Sequence, residues 1–153
     1  MVIRDWSSDV CSSDLDLERI RAWDASILVS LVEHREFAAL GVEALPGEAL
    51  RLGMAWRHLP IPDRRPPGLD FEQRWLQVGA ELVAALRDGR RIFLHCMGGL
   101  GRTGTVAACL LREAGLDAEE AVAQVRLARP KTIETLEQER YVHAYAPRFG
   151  GGL

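Results

Sequence analysis

The chain has 153 residues, of which 48% are hydrophobic and 27% charged, with a formal net charge of −3 at pH 7. This size and composition predict one globular domain with a substantial core and exclude a disordered or fibrous chain. The negative charge argues against nucleic acid or an anionic membrane as a partner, and no stretch approaches the roughly 20 apolar residues of a membrane span.

The first fifteen residues differ in character from the rest of the chain. Ser7–Val10 and Ser12–Leu15 read SSDV and SSDL, a polar near-repeat without amphipathic periodicity. The surrounding string resembles translated sequencing-adapter sequence, so we expect residues 1–15 to be a non-native or disordered leader. The predicted domain spans residues 16–147, and residues 148–153 are expected to form a flexible tail.

Strand-like and helix-like segments alternate from Asp16 onward. Apolar runs predict strands at 27–32, 54–61 and 91–96. Helical periodicity, together with glycines or prolines that end a helix, predicts helices at 35–40, 46–53 and 69–88. A further helix is predicted from the loop that follows residue 96 to residue 114, and two more at 117–130 and 135–146. The alternation predicts an α/β fold with a central, mostly parallel sheet and helices on both faces, which binds ligand at the carboxyl ends of its strands.

The stretch His95–Thr105, which reads HCMGGLGRTGT, joins a strand to a helix through a glycine-rich loop. Backbone N–H groups and the helix dipole converge on one point in such a loop, so it predicts an anion cradle. A helix N-terminus and a nearby cation favour the thiolate of Cys96, and the guanidinium of Arg102 suits the oxygens of a phosphoryl group. Thr103 is placed to hydrogen-bond the thiolate, and His95 to fix the loop through a backbone hydrogen bond.

Five residues separate Cys96 from Arg102, and none of them is charged. Three are glycines, which we expect to adopt the unusual torsions that aim N–H groups inward. These predicted phosphate-loop residues are Met97, Gly98, Gly99, Leu100 and Gly101.

These residues resemble the signature of cysteine-dependent protein phosphatases, in which His-Cys, five residues and Arg are followed by Ser or Thr. The run Gly98–Arg102 is similar to the small dual-specificity branch, particularly the cyclin-dependent kinase inhibitor 3-like phosphatases and their bacterial relatives. The resemblance implies the three-layer fold of the protein tyrosine phosphatases. It also implies hydrolysis of phospho-Tyr or phospho-Ser/Thr esters through a phospho-cysteine, without a metal or organic cofactor.

Transfer of a phosphoryl group to a thiolate needs an acid that protonates the leaving oxygen. Asp63 is the only carboxylate in the proline-rich segment Trp56–Gly68 and lies upstream of the cysteine, as the acid of the family does. A Pro-Asp pair that merely starts a turn is the alternative. Asp70 competes for the role, but its spacing from Gln73 is typical of a helix N-cap.

Gln138 is the third element that the resemblance implicates. A glutamine in this region of related phosphatases helps to position the hydrolytic water. The alternative is a capping-box glutamine with Thr135 as N-cap, and the two roles are compatible.

Other functions share parts of this pattern. A non-catalytic phosphate-binding module keeps the cradle but loses the nucleophile or the acid, and both are retained here. Inositol-phosphate phosphatases usually carry lysine inside the loop. Low-molecular-weight phosphatases and arsenate reductases place the loop at the extreme N-terminus, and rhodanese-like sulfurtransferases lack the upstream acid.

Three cysteines without disulfide-framework spacing suit the reducing cytoplasm. Cys109, among alanines and leucines, is expected to be a small buried residue, with a redox role as the alternative. Four histidines without ligand-like spacing predict no metal site. Lys131 is the only lysine among 19 basic residues, a bias that indicates a GC-rich, bacterial genome. The sequence does not predict an oligomeric state.

Overall fold

A computed structural model of the protein describes residues 2–3, 13–98 and 100–150, with side chains described from residue 17 onward. Within these ranges it contains four parallel strands in the spatial order β1, β4, β2, β3. The strands are β1 (Val2–Ile3), β2 (Ala25–Ser30), β3 (Ala55–His58) and β4 (Arg91–His95). Ser30 lies opposite both His58 and His95, so three strands end side by side and the loops that follow them converge.

Seven helices connect and cover the strands in the described part of the chain. They are α1 (Ser13–Ala22), α2 (His34–Leu40), α3 (Leu45–Arg51), α4 (Leu69–Arg87), α5 (Gly101–Glu113), α6 (Ala118–Ala128) and α7 (Leu136–Ala144). Asp117 and Thr135 form capping boxes with Glu120 and Gln138, as their spacing predicted. None of these helices is long and apolar enough to cross a membrane.

The direction of the connections places helices on both faces of the sheet. The chain moves one way along the sheet from β1 to β2 and on to β3, then back across β2 to β4. Right-handed crossovers that run in opposite directions leave their helices on opposite faces. Accordingly, α1 contacts α3 and β2, whereas α5 contacts α4, α6, α7 and β4. The α/β class predicted from the sequence is confirmed.

Aromatic packing ties the long helix α4 to the end of α7. Trp75 is fully buried and stacks on Phe71 with ring centroids 5.2 Å apart. Its indole N–H donates to the hydroxyl of Tyr145 at 2.7 Å. Truncating such a buried aromatic side chain costs about 3–5 kcal/mol, so this contact is one anchor of the face that carries α5.

The strand predicted at 54–61 is shorter than expected. β3 ends at His58, although the Leu59 and Ile61 N–H groups still donate to the β2 side at 3.0 Å each. Pro60 and Pro62 have no N–H to continue a ladder, so the chain leaves the sheet as an irregular loop. That loop carries Asp63.

Asp70 is not the N-cap of α4, contrary to the sequence prediction. Gly68 occupies that position, and the helix begins at Leu69. Asp70 lies in the first turn, where its carboxylate favourably meets the positive end of the helix dipole and accepts a hydrogen bond from Arg74 at 3.1 Å.

The expected leader and tail are only partly described. Val2–Ile3 pair with β4, and α1 begins at Ser13, so both ends of the leader enter secondary structure. Residues 1 and 4–12 lie outside the described residues, and a non-native origin stays a prediction. In the tail, the backbone N–H groups of Arg148 and Phe149 donate to buried Glu113, so fraying there must break two hydrogen bonds. Residues 151–153 lie outside the described residues.

Candidate active site

Cys96 is the first residue after β4, and only 3% of it is exposed. The hydroxyl of Thr103, in the first turn of α5, donates a hydrogen bond to its sulfur at 3.1 Å. The sulfur therefore lies close to the helix N-terminus with a donor aimed at it.

His95 is buried behind the loop and does not line the cleft. Its Nε2 lies 2.6 Å from the Ser30 hydroxyl, and that oxygen already accepts the indole N–H of Trp56 at 2.9 Å. With Nδ1–H bonding the Cys96 backbone, Nε2 of the neutral ring accepts a hydrogen bond from the Ser30 hydroxyl. Burial lowers the pKa of His95 to about 4, against the opposing effect of that backbone bond. The ring is neutral at pH 7, and it fixes the start of the loop as the sequence analysis expected.

Arg102 closes the other end of the loop from within α5. Its guanidinium makes a two-point ion pair with Glu36 at 2.8 and 3.0 Å and donates to the Ile61 carbonyl at 3.0 Å. Burial opposes its charge, but Glu36, Cys96 and Asp63 together raise the pKa of Arg102 above its usual value. Burial likewise opposes the charge of Glu36, yet the hydrogen bonds from Arg102 and from the backbone lower its pKa. Both groups are thus held ionised.

Asp63 faces Arg102 across the site. Its Oδ1 lies 3.4 Å from Arg102 Nη2, and 58% of its side chain remains exposed. A cleft of about 220 Å³ opens between the two loops. The lining residues are Asp63, Arg64, Cys96, Met97, Gly98, Leu100, Gly101, Arg102 and Glu134. A thiol, a guanidinium and a carboxyl group therefore meet in one cleft, an arrangement that suits covalent phosphoryl transfer.

Of the two loop glycines that the structure describes, Gly101 alone has a close contact that requires glycine, and the predicted torsions are not the reason. Neither Gly98 nor Gly101 has a positive φ, so unusual torsions do not explain them. A Cβ on Gly101 would lie 2.9 Å from the side-chain oxygen of Gln138, so this glycine permits close packing instead. Gly99 lies outside the described residues.

Gln138 is buried and is not among the residues that line the cleft. Its Oε1 accepts the backbone N–H groups of Glu134 and Thr135, and its Nε2 donates to the Arg65 carbonyl, each at 3.1 Å. The capping-box reading is confirmed. The water-positioning role stays a prediction.

Sequence reasoning missed Glu36 and Glu134. Glu36 lies 66 positions from Arg102 and follows β2, whose end adjoins the Cys96 loop. The spacing of Glu33 and Glu36 is a capping-box signal for α2, and it was the one available hint. Glu134 had no signal, because it reaches the cleft only through the fold of the segment before α7.

Cys109 is fully buried within α5, as expected, and burial raises the pKa of its thiol far above the usual range. Cys96 and Cys109 are not joined to each other in a disulfide, and Cys11 lies outside the described residues. No group of three or more His, Cys, Asp or Glu side chains in the described part of the chain is arranged to hold a metal ion. That no metal or organic cofactor is needed stays a prediction.

Comparison with known proteins gives consistent matches. A family model described as "Polymorphic toxin system, DSP-PTPase phosphatase" matches residues 8–116. Cyclin-dependent kinase inhibitor 3 of Rattus norvegicus is 34% identical over 104 residues, which cover 66% of this chain and 48% of that protein. The chain thus spans about half the length of this curated relative.

Two solved structures share the fold. Kinase associated phosphatase (KAP), with its catalytic-site cysteine replaced by serine, has a TM-score of 0.77 and 27% identity over 85% of this chain and 73% of its own. Tk-PTP in its active form has a TM-score of 0.72 and 31% identity over 87% of each chain. These matches confirm the three-layer fold of the protein tyrosine phosphatases.

Proposed function

The chain belongs to the DSP-PTPase phosphatase family, and on that premise we propose that it hydrolyses phospho-Tyr and phospho-Ser/Thr esters through a phospho-cysteine at Cys96. The observation that carries the proposal is the meeting of three groups at one cleft. Arg102 lies 3.4 Å from Asp63, and the Thr103 hydroxyl lies 3.1 Å from the Cys96 sulfur. Rhodanese-like sulfurtransferases lack such an acid, and arsenate reductases place the cysteine loop at the extreme N-terminus.

The first step forms a bond between the Cys96 sulfur and phosphorus and breaks the phosphorus–oxygen bond of the ester. Arg102 and the loop N–H groups hold the non-bridging oxygens, on which charge is spread. The carboxyl group of Asp63 acts as the general acid and gives its proton to the leaving oxygen. An alcohol or phenol departs.

The second step restores the enzyme. The Asp63 carboxylate takes a proton from water, the water oxygen attacks phosphorus, and the bond to sulfur breaks. The Thr103 hydroxyl hydrogen-bonds the departing thiolate. Inorganic phosphate leaves, and Asp63 is again protonated for the next cycle.

Phosphorylated proteins are the proposed substrates, with small phosphomonoesters as surrogates. The loop residues Met97 and Leu100 present apolar groups to the cleft, which suit an amino-acid side chain. Besides Arg102, Arg64 is the one cation among the described lining residues, and it already pairs with Glu134 at 2.6 Å, which disfavours the additional phosphates of inositol polyphosphates. We therefore rank inositol phosphates, and a non-catalytic phosphate-binding module, below a phosphoprotein phosphatase.

A reactive thiol requires a reducing compartment, so we propose a cytoplasmic location. A bacterial source is proposed on the arginine bias alone, and the curated relative reported above, a rat protein, lends it no support.

The test is hydrolysis of a generic aryl phosphate by the unaltered protein and by Cys96→Ser, with vanadate as inhibitor. We expect vanadate-sensitive release of phosphate by the unaltered protein and none by the variant. Cys109→Ser is the matched control, because it alters a buried thiol away from the cleft. Full activity of Cys96→Ser would refute the proposed mechanism. Thiosulfate sulfurtransfer or arsenate reduction without ester hydrolysis would assign the site to another chemistry.

A further inference from the structure

The loop that carries Asp63 is attached to the segment before and within α7 by three side chains. Arg64 pairs with Glu134 at 2.6 Å and Arg65 with Glu137 at 3.5 Å, whereas Gln138 donates to the Arg65 carbonyl at 3.1 Å. The arginines of both ion pairs are well exposed, at 64% and 68%. Exposed ion pairs contribute little and weaken in salt.

The bond from Gln138 is of a different kind, because the whole residue is buried. Its Oε1 already accepts two backbone N–H groups, so the orientation of the amide is fixed by its partners and Nε2 must face Arg65. A buried donor that loses its acceptor costs about 1–3 kcal/mol. Of the three described contacts between this loop and the segment around α7, the bond from Gln138 to the Arg65 carbonyl is therefore the costliest to break.

Gln138 also contacts the loop that carries Cys96. The space at Gly101 is so tight that a Cβ there would lie 2.9 Å from Gln138 Oε1 and 3.0 Å from Nε2. One buried amide thus lies against the first residue of α5 and, through Arg65, holds the loop two residues beyond Asp63. The Gln138 amide therefore fixes the distance between the loop that carries Asp63 and the loop that carries Cys96.

We propose that Gln138 is a positioning residue for Asp63, holding the acid over the cleft through the Arg65 carbonyl. The inference rests on the proposed function and deepens it. It also differs from the role that family resemblance implies, in which this glutamine orients water in the second step. Neither amide atom belongs to the lining of the cleft, and both are occupied by backbone groups.

Leaving-group dependence of kcat/KM separates the two roles, because kcat/KM reports formation of the phospho-cysteine and not its breakdown. Loss of the acid slows formation most for esters with poor leaving groups, and little for aryl phosphates that need no proton. Loss of water orientation slows only breakdown of the phospho-cysteine, so it lowers kcat but leaves kcat/KM unchanged for every ester.

The variant is Gln138→Glu, assayed near neutral pH. The carboxylate retains both acceptor contacts with the backbone N–H groups but cannot donate to Arg65, and it repels that carbonyl. We expect kcat/KM to fall about 10- to 100-fold on an alkyl phosphate and less than about 3-fold on p-nitrophenyl phosphate. In the unaltered protein, kcat/KM on the alkyl phosphate should fall at high pH as the acid loses its proton. This fall should be smaller in the variant.

Thr135→Ala is the control, because it removes the cap of α7 and leaves the bond to Arg65 in place. It should lower the melting temperature without changing the ratio of the two kcat/KM values. If the buried charge prevents Gln138→Glu from folding, Gln138→Met removes the same donor without a charge.

Unchanged kcat/KM on both esters, with a lower kcat and accumulated phospho-cysteine, would overturn the inference in favour of water positioning. Unchanged kinetics in a folded variant would overturn it as well. Absence of any hydrolysis or phospho-cysteine in the unaltered protein would refute the proposed function, and this inference with it.

Discussion

Arg102 and Glu36 form a two-point ion pair beneath the cleft, with only 2% and 11% of their side chains exposed. The same carboxylate accepts the N–H of Glu33, the N-cap of α2, at 2.7 Å, so the start of α2 and α5 meet at one buried charge. This pair fixes the plane of the guanidinium that we propose binds the phosphoryl group. Its orientation does not depend on substrate.

Glu36→Gln should therefore impair both stability and activity. Removing one partner of a buried pair costs about 3–5 kcal/mol, because the other charge remains buried and uncompensated. We expect urea unfolding to show this loss and kcat/KM to fall at least about tenfold, which corresponds to about 1.4 kcal/mol of transition-state stabilisation.

The matched control is Glu81→Gln. Its two-point pair with Arg57 has similar distances, 2.6 and 2.7 Å, but is about one-third exposed. That variant should lose less than about 1 kcal/mol of stability and retain activity. Equal effects of the two substitutions would contradict the role given to Glu36.

Asp63→Asn should slow hydrolysis of alkyl phosphates by about 10²- to 10⁴-fold, because the leaving oxygen then departs without a proton. The loss on p-nitrophenyl phosphate should be far smaller. Asp70→Asn, in the first turn of α4, controls for loss of a nearby exposed carboxylate. If the two variants behave alike on an alkyl ester, Asp63 is not the acid.

Thr103→Val tests the hydroxyl that donates to Cys96. The substitution keeps the shape but removes the hydrogen bond to the departing thiolate, so the second step should slow and phospho-cysteine should accumulate in rapid-quench experiments. Thr105→Val is the control, since its equally buried hydroxyl donates to the Gly101 carbonyl instead. Equal accumulation of phospho-cysteine in Thr105→Val and Thr103→Val would assign the effect to packing.

His95 should make the fold sensitive to moderate acid. Its folded-state pKa of about 4 lies below the ordinary value of 6.5 because the neutral ring is buried. The unfolded chain therefore binds the proton first, and the stabilisation present above pH 6.5 is lost as pH falls towards 4. At pH 5 the loss is about 2 kcal/mol.

Urea unfolding at pH 7.5, 6 and 5 checks this expectation. In His95→Gln the free energy of unfolding should fall less over this range, whereas His143→Gln, at an exposed position on α7, should follow the unaltered protein. A variant of His95 with the same pH dependence as the unaltered protein would show that other groups govern it.

The sequence predicted the parts of the site that lie within one continuous segment. Cys96, Arg102 and Thr103 share a single loop and helix start, where spacing alone determines which groups meet. The alternation of strands and helices likewise predicted the parallel sheet, since a buried strand and an amphipathic helix each leave a local pattern.

Contacts between distant segments were not predictable in the same way. Glu36 reaches Arg102 only because β2 and β4 are neighbours that end in register. The cap of α4 was misread because Asp70 and Gln73 have capping-box spacing, although Gly68 precedes the helix. The role of Gly101 was also misread, because the close approach of Gln138 leaves no mark in the local sequence.

The central claim is that Cys96 carries the phosphoryl group during turnover. The most direct measurement is rapid quench in alkaline denaturant, which preserves the acid-labile phosphorus–sulfur bond, during hydrolysis of an aryl phosphate, followed by peptide mass spectrometry. We predict a phosphoryl group on Cys96 of the unaltered protein, and none on Cys96→Ser or on Cys109. Steady hydrolysis with no phosphoryl group on Cys96, or with the group on another residue, would contradict the account.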